Sequence, residues 1–69
     1  MSKMMIDLEK RVQLLKAIEV AEILNISRAL AYRLMQTRDI PTVRICTARR
    51  VRPVDLHNYI NDNLIPVNS

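Results

Sequence analysis

The run VAEILNISRALAYRLMQ, residues 20–36, decides how the rest of the chain is read. Its apolar positions recur at steps of three and four on both sides of Asn25-Ile26, which predicts two short helices joined by a turn. Val20, Leu24, Ile26, Ala31 and Leu34 can point inward together, and the small Ala21 lets the second helix cross the first closely. Asn25 stands where the chain must turn, a position that favours positive φ, and Asn tolerates this better than any residue except Gly. Ser27 is placed to cap the second helix by accepting a hydrogen bond from an otherwise unpaired N–H. Together these features make a helix-turn-helix.

The second helix divides into two sides. Leu30, Ala31, Leu34 and Met35 form the apolar one, while Arg28, Ala29, Tyr32, Arg33 and Gln36 fall opposite at helical spacing. A helix laid in the DNA major groove needs such a surface: Arg for guanine edges or phosphates, Gln for adenine, Tyr for phosphate, a small residue for close approach. An ordinary solvated amphipathic helix shares this period, so the reading depends on what surrounds it.

The distribution of charge is the more telling feature. The 69-residue chain carries a net charge of +4. Residues 1–27 are balanced, with Lys3, Lys10, Arg11 and Lys16 against Asp7, Glu9, Glu19 and Glu22. From 28 to 52 the cations are Arg28, Arg33, Arg38, Arg44, Arg49, Arg50 and Arg52, opposed by Asp39 alone, and beyond them lie Asp55 and Asp62. The positive excess thus sits on the second helix and the segment after it, the footprint of a polyanion site. Every cation there is Arg, which suits bidentate contact with phosphate and guanine better than Lys does. Solubilising charge is the plainer explanation of a basic stretch.

Length and composition set the remaining bounds. One small domain is expected, with a core of Ile, Leu, Val, Met and Ala, since Phe and Trp are absent and Tyr32 and Tyr59 are the aromatics. Such a core leaves little room for an enclosed substrate pocket, and no small-molecule ligand or cofactor is expected. The single cysteine, Cys46, excludes an intramolecular disulfide. The start has neither the apolar centre of a signal peptide nor a run long enough for a membrane helix, so a cytoplasmic protein without membrane association is expected.

Along the chain, Met5, Leu8, Val12 and Leu15 recur at steps of three and four. Residues 1–13 are therefore either a short helix, packed on the domain or on a second copy, or a frayed terminus. Leu14 and Leu15 bring the chain into the core, and helical periodicity starts near Lys16 or Ala17, with Ala17, Val20, Ala21 and Leu24 inward. Lys16 is a poor cap, partly offset by Glu19 near the positive helix end. After Gln36, Thr37-Arg38-Asp39 is turn-like, and Ile40 is kept from helical geometry by Pro41. Thr42 to Ile45 alternate as a strand, with Val43 and Ile45 on one face. Residues 46–49 read as a loop, and Arg50-Val51-Arg52 return antiparallel. The resulting hairpin carries Arg at its tip and along its outer face, and must lean on the helices for stability. Pro53 opens a closing helix, with Asp55 near its positive end and Leu56, Tyr59 and Ile60 on one side. Residues 65–69 form a loose tail beyond a domain spanning 14–64.

This arrangement resembles the small winged-helix DNA-binding domains of the excisionase and MerR-like group, from about Leu14 to Ile60. The resemblance rests on Leu14-Leu15, Val20-Ala21-Glu22-Ile23-Leu24, Asn25-Ile26-Ser27-Arg28 and Tyr32-Arg33-Leu34 in the helices. Ile40-Pro41 with Val43-Arg44-Ile45 looks like the entry to that group's wing. Arg49-Arg50 with Val51-Arg52-Pro53, then Asp55-Leu56 and Tyr59-Ile60, look like its exit and closing helix. It implies a mainly α fold with a small β-hairpin, a winged helix-turn-helix. It also implies that Arg28, Tyr32 and Arg33 belong to the groove helix, and Arg49 and Arg50 to a wing touching backbone or minor groove. The chain departs from the group at Lys16, where Ser or Thr is usual, at Asn25, where Gly is usual, at Leu30, where a small polar residue is common, and in a wing without Gly.

Other chemistry finds little support. His57 has no second His, Cys or carboxylate at metal-ligand spacing. Cys46 lies near Arg44 and Arg49 in sequence, but no base is placed to make it a nucleophile. No Gly-rich phosphate loop exists and the acids are scattered, so a non-enzyme is expected. The leading expectation is a sequence-specific double-stranded DNA-binding protein, either an excisionase-like architectural factor or a small transcription regulator. Its contact set is Ser27, Arg28, Ala29, Tyr32, Arg33, Gln36, Arg44, Arg49, Arg50 and Arg52. An integrase, or further copies of the chain as a dimer or in tandem, would be its protein partners. The alternative is a protein-interaction adaptor using the N-terminal apolar stripe, with the basic face secondary. RNA ranks third, because the chain lacks an aromatic platform for stacking single strands.

Overall fold

The computed structural model describes residues 13–67. The expectations for Met5, Leu8 and Val12 and for the last two residues lie outside that range. Among the described residues, three helices and one hairpin follow in the order α1 (Ala17–Leu24), α2 (Arg28–Gln36), β1 (Val43–Ile45), β2 (Ala48–Arg50) and α3 (Pro53–Asp62). The expected fold class, a small winged helix-turn-helix with a two-stranded antiparallel wing, is what the chain adopts.

Entry into α1 solves the capping problem that Lys16 poses. Its ammonium has no acceptor to offer. Glu19 instead reaches back, Oε1 accepting the Lys16 backbone N–H at 2.7 Å, the reciprocal half of a capping box. At the other end Asn25 adopts φ 58° and ψ 49°. The Ile26 N–H then donates to the Ala21 carbonyl at 2.9 Å and the Asn25 N–H to that of Glu22 at 3.2 Å, the two bonds of a Schellman motif. Ser27 follows at once in extended geometry, its Oγ accepting the Leu30 N–H at 3.1 Å. One helix ends and the next begins within three residues, which fixes the angle between them.

The core is small and aliphatic: Val20, Ala21, Ala31, Met35, Ile40, Val51 and Leu56 are buried, with Leu15, Ala17, Leu24, Ile26, Leu34 and Tyr59 packed around them. Ala21 and Ala31 bring α1 and α2 close, as their size dictates. Ile40 and Val51, each fully buried, are core residues that helical periodicity did not single out. Ile40 gets there because Arg38 takes φ 66° after α2, reversing the chain so that the Ile40 N–H donates to the Leu34 carbonyl at 3.2 Å. Val51 continues β2 into a two-bond antiparallel bridge with Leu15, at 2.8 and 2.9 Å. The residue expected to lead the chain into the core therefore also ties the hairpin down.

Two local expectations are corrected. Leu30, placed on the apolar side of α2, is exposed, because it lies about 120° around the helix from the buried Ala31–Met35 line. Ile45, at the end of β1, is 50% exposed, and Ile60, which lines a shallow groove with Leu15, Ile23 and Leu56, is 43% exposed. The hairpin loop is two residues, not four: Ala48 already pairs with Ile45, Arg49 with Arg44 and Arg50 with Val43. Cys46-Thr47 make the turn, with Cys46 at φ 55°. Two-residue hairpin turns require positive φ at their first residue, and without a glycine in the chain Cys46 adopts it.

Candidate nucleic-acid interface

Around α2 each residue advances about 100°. With Ala31 and Met35 facing the core, Arg33 points almost directly away from it, flanked by Ala29, Gln36 and Tyr32, all exposed. The helix begins at an exposed Ser27 cap followed by exposed Arg28. The outward face expected from sequence is therefore open along its whole length.

Two clefts divide the remaining candidate residues. One, of about 640 Å³, is lined by Lys16, Ala17, Ile18, Arg28, Ala29, Tyr32 and Arg50. It joins the start of α1, the first turns of α2 and the end of β2. The other, of about 490 Å³, lies at the far end of α2 and is lined by Met35, Gln36, Arg38, Pro41, Thr42, Arg44 and Arg49. Strand alternation explains the division: Arg49 and Arg50 are neighbours on β2 and so point to opposite faces of the hairpin.

Arg52 behaves differently from the other expected contacts. Its guanidinium forks onto Asp55, Nε donating to Oδ2 at 2.5 Å and Nη2 to Oδ1 at 2.8 Å. The hydrogen bond from Arg52 holds the Asp55 carboxyl below the usual carboxylate range; burial opposes this and the adjacent positive charge adds to it. Arg52 immediately precedes α3 and Asp55 lies in its first turn, so the pair organises the start of the closing helix.

Lys16 and Arg38 line these clefts but were not in the expected contact set. The charge run 28–52 included Arg38, yet its position in a turn gave no periodicity from which to place its side chain. In the sequence Lys16 stands in the charge-balanced stretch 1–27 and at a helix start, and neither position signals a contact. Elsewhere, His57 Nε2 lies 3.1 Å from the Asn61 side-chain amide, on the exposed side of α3. Among the described residues no three His, Cys, Asp or Glu side chains stand together as a metal site requires, and no helix is long and apolar enough to cross a membrane. No curated protein and no solved structure matches the chain. A family model described as a helix-turn-helix domain matches residues 14–64, well over half of it.

Proposed function

The chain belongs to the helix-turn-helix family of excisionase- and MerR-like domains, and from that premise we propose that it is a sequence-specific double-stranded DNA-binding protein. In this reading α2 lies in the major groove and the hairpin rests as a wing against the neighbouring backbone. The observation that carries it is the continuity of the open α2 face with arginine-lined clefts on either side of the hairpin. A groove helix supplies base readout, and flanking cations supply the phosphate contacts that fix its register.

Ser27, Arg28, Ala29, Tyr32, Arg33 and Gln36 form the proposed groove surface, and Arg44, Arg49, Arg50 and Arg52 the proposed backbone surface. Arg33 and Gln36 are the base-reading candidates, being the long hydrogen-bonding side chains most nearly opposite the core. Arg52 acts chiefly through α3, because Asp55 already occupies two of its donors. The finer role is architectural, binding at repeated sites to help an integrase assemble in excision, with small transcription regulator as the neighbouring possibility. Both are supported by the resemblance of the chain to its family. A short groove surface reads a short site, which favours a dimer or tandem copies.

Competition binding tests this reading. A labelled duplex should be displaced by unlabelled duplex far more effectively than by single-stranded DNA or RNA of equal length and charge. Displacement by all three alike would reduce the protein to a general polyanion binder and bring the adaptor reading forward.

A further inference from the structure

In the antiparallel register Arg44 and Arg49 are directly opposite one another. Like charges so placed destabilise a strand pair, and this hairpin has only three pairs. Both line the cleft at the end of α2, together with Arg38 from the following turn. Arg38 is aimed there by a left-handed backbone conformation that a non-glycine residue adopts at a cost. Among the described residues the guanidiniums of Arg38 and Arg49 have no hydrogen-bonding or ion-pair partner, and that of Arg44 reaches only the Cys46 carbonyl, at a long 3.4 Å. Asp39, the nearest acid in sequence, does not line the cleft, and its carboxylate accepts the Thr37 hydroxyl at 2.9 Å. The Thr42 hydroxyl donates to the Ile40 carbonyl at 2.8 Å. Three cations therefore converge on a cleft of about 490 Å³ with no protein anion among its lining residues.

We infer that this cleft is a phosphate clamp, in which Arg38, Arg44 and Arg49 hold a single phosphodiester group at the junction of α2 and the wing. The inference rests on the double-stranded DNA reading and deepens it. Guanidinium groups suit the site because their planar N–H forks match phosphate oxygens in pairs. The C-terminal end of α2 contributes a partial negative charge of about half a unit at this point, which leaves most of the charge of three arginines unopposed. The bound phosphate also relieves the repulsion across the strands, which couples wing stability to occupancy.

The test uses Arg38→Gln, Arg49→Gln and the double variant, with thermal melting of the free proteins and duplex binding across a salt series. Arg49→Gln should raise the free protein's Tm by about 1–4 °C while weakening duplex binding, since it removes a cross-strand repulsion together with a ligand contact. The double variant should lower the slope of log affinity against log salt by about one, and each single variant by no more than that, because the three arginines share one phosphate. Inorganic phosphate should stabilise the wild-type protein beyond chloride at matched ionic strength, and the double variant should lose this. Tight duplex binding with slopes that fall by about two in the double variant, or do not fall, would overturn the clamp and leave the DNA reading standing. No duplex binding by the wild-type protein, with no protection by phosphate, would overturn both.

Discussion

Asn25, Arg38 and Cys46 all have positive φ in a chain that contains no glycine. An L-residue in that region costs about 1–2 kcal/mol, least for Asn, so these turns hold strain that glycine would remove. Cys46→Gly should therefore raise stability by about 0.5–1 kcal/mol, after the greater freedom of the unfolded chain is set against the gain. Cys46→Val should lower it, and chemical denaturation of the two variants checks both signs. Asn25 was legible in the sequence because the residue type itself prefers the turn. Arg38 and Cys46 were not, because neither has that preference; the register of β1 on β2 and the return of Ile40 to the core impose it. Arg52 and Asp55 give a pH signature. The folded carboxyl binds its proton less tightly than the unfolded one, so the unfolded state takes up more protons as pH falls below about 4, and stability drops there. Asp55→Asn should lower Tm at neutral pH, with the gap to wild type closing in acid as the native carboxyl protonates.

At the scale of elements, the stretch 20–36 was readable because each end carries its own signal: apolar period, Asn at the reversal, Ser at the cap. The Ser27 Oγ bond to the Leu30 N–H holds the start of α2. Ser27→Ala should cost about 1 kcal/mol, measurable by denaturation, whereas Ser27→Asp should keep most of the stability. The hairpin was less readable. Ala48-Arg49-Arg50 has no β-branched or alternating character, so its strand begins where pairing with Val43–Ile45 begins and not where its own residues signal it. Leu30 shows the complementary limit. Its apolar character placed it on the inner side, but the inward arc of a nine-residue helix packed against so small a core is narrow, and the residue falls outside it.

At the scale of the molecule, among the described residues seven buried apolar side chains with a partly buried shell hold three helices and a hairpin together. A core of this size supplies about 3–5 kcal/mol, and truncating a buried Met costs about 2–5 kcal/mol. Met35→Ala should therefore leave much of the protein unfolded at room temperature, as circular dichroism would report. The concentration of positive charge between residues 28 and 52 was visible in the sequence, but the two faces onto which it divides were not. That division depends on which way Arg49 and Arg50 point, and so on a register that only the folded hairpin sets.

Selection from a randomised duplex pool, run with the wild-type chain, with Arg33→Ala and with the double variant Arg49→Ala/Arg50→Ala across a salt series, tests most directly that α2 reads base sequence. If α2 reads bases, a defined motif emerges that Arg33→Ala relaxes at one position, while the wing variant weakens all sites alike and lowers the salt slope. Enrichment of no motif, with binding lost equally in both variants, would contradict base reading by α2.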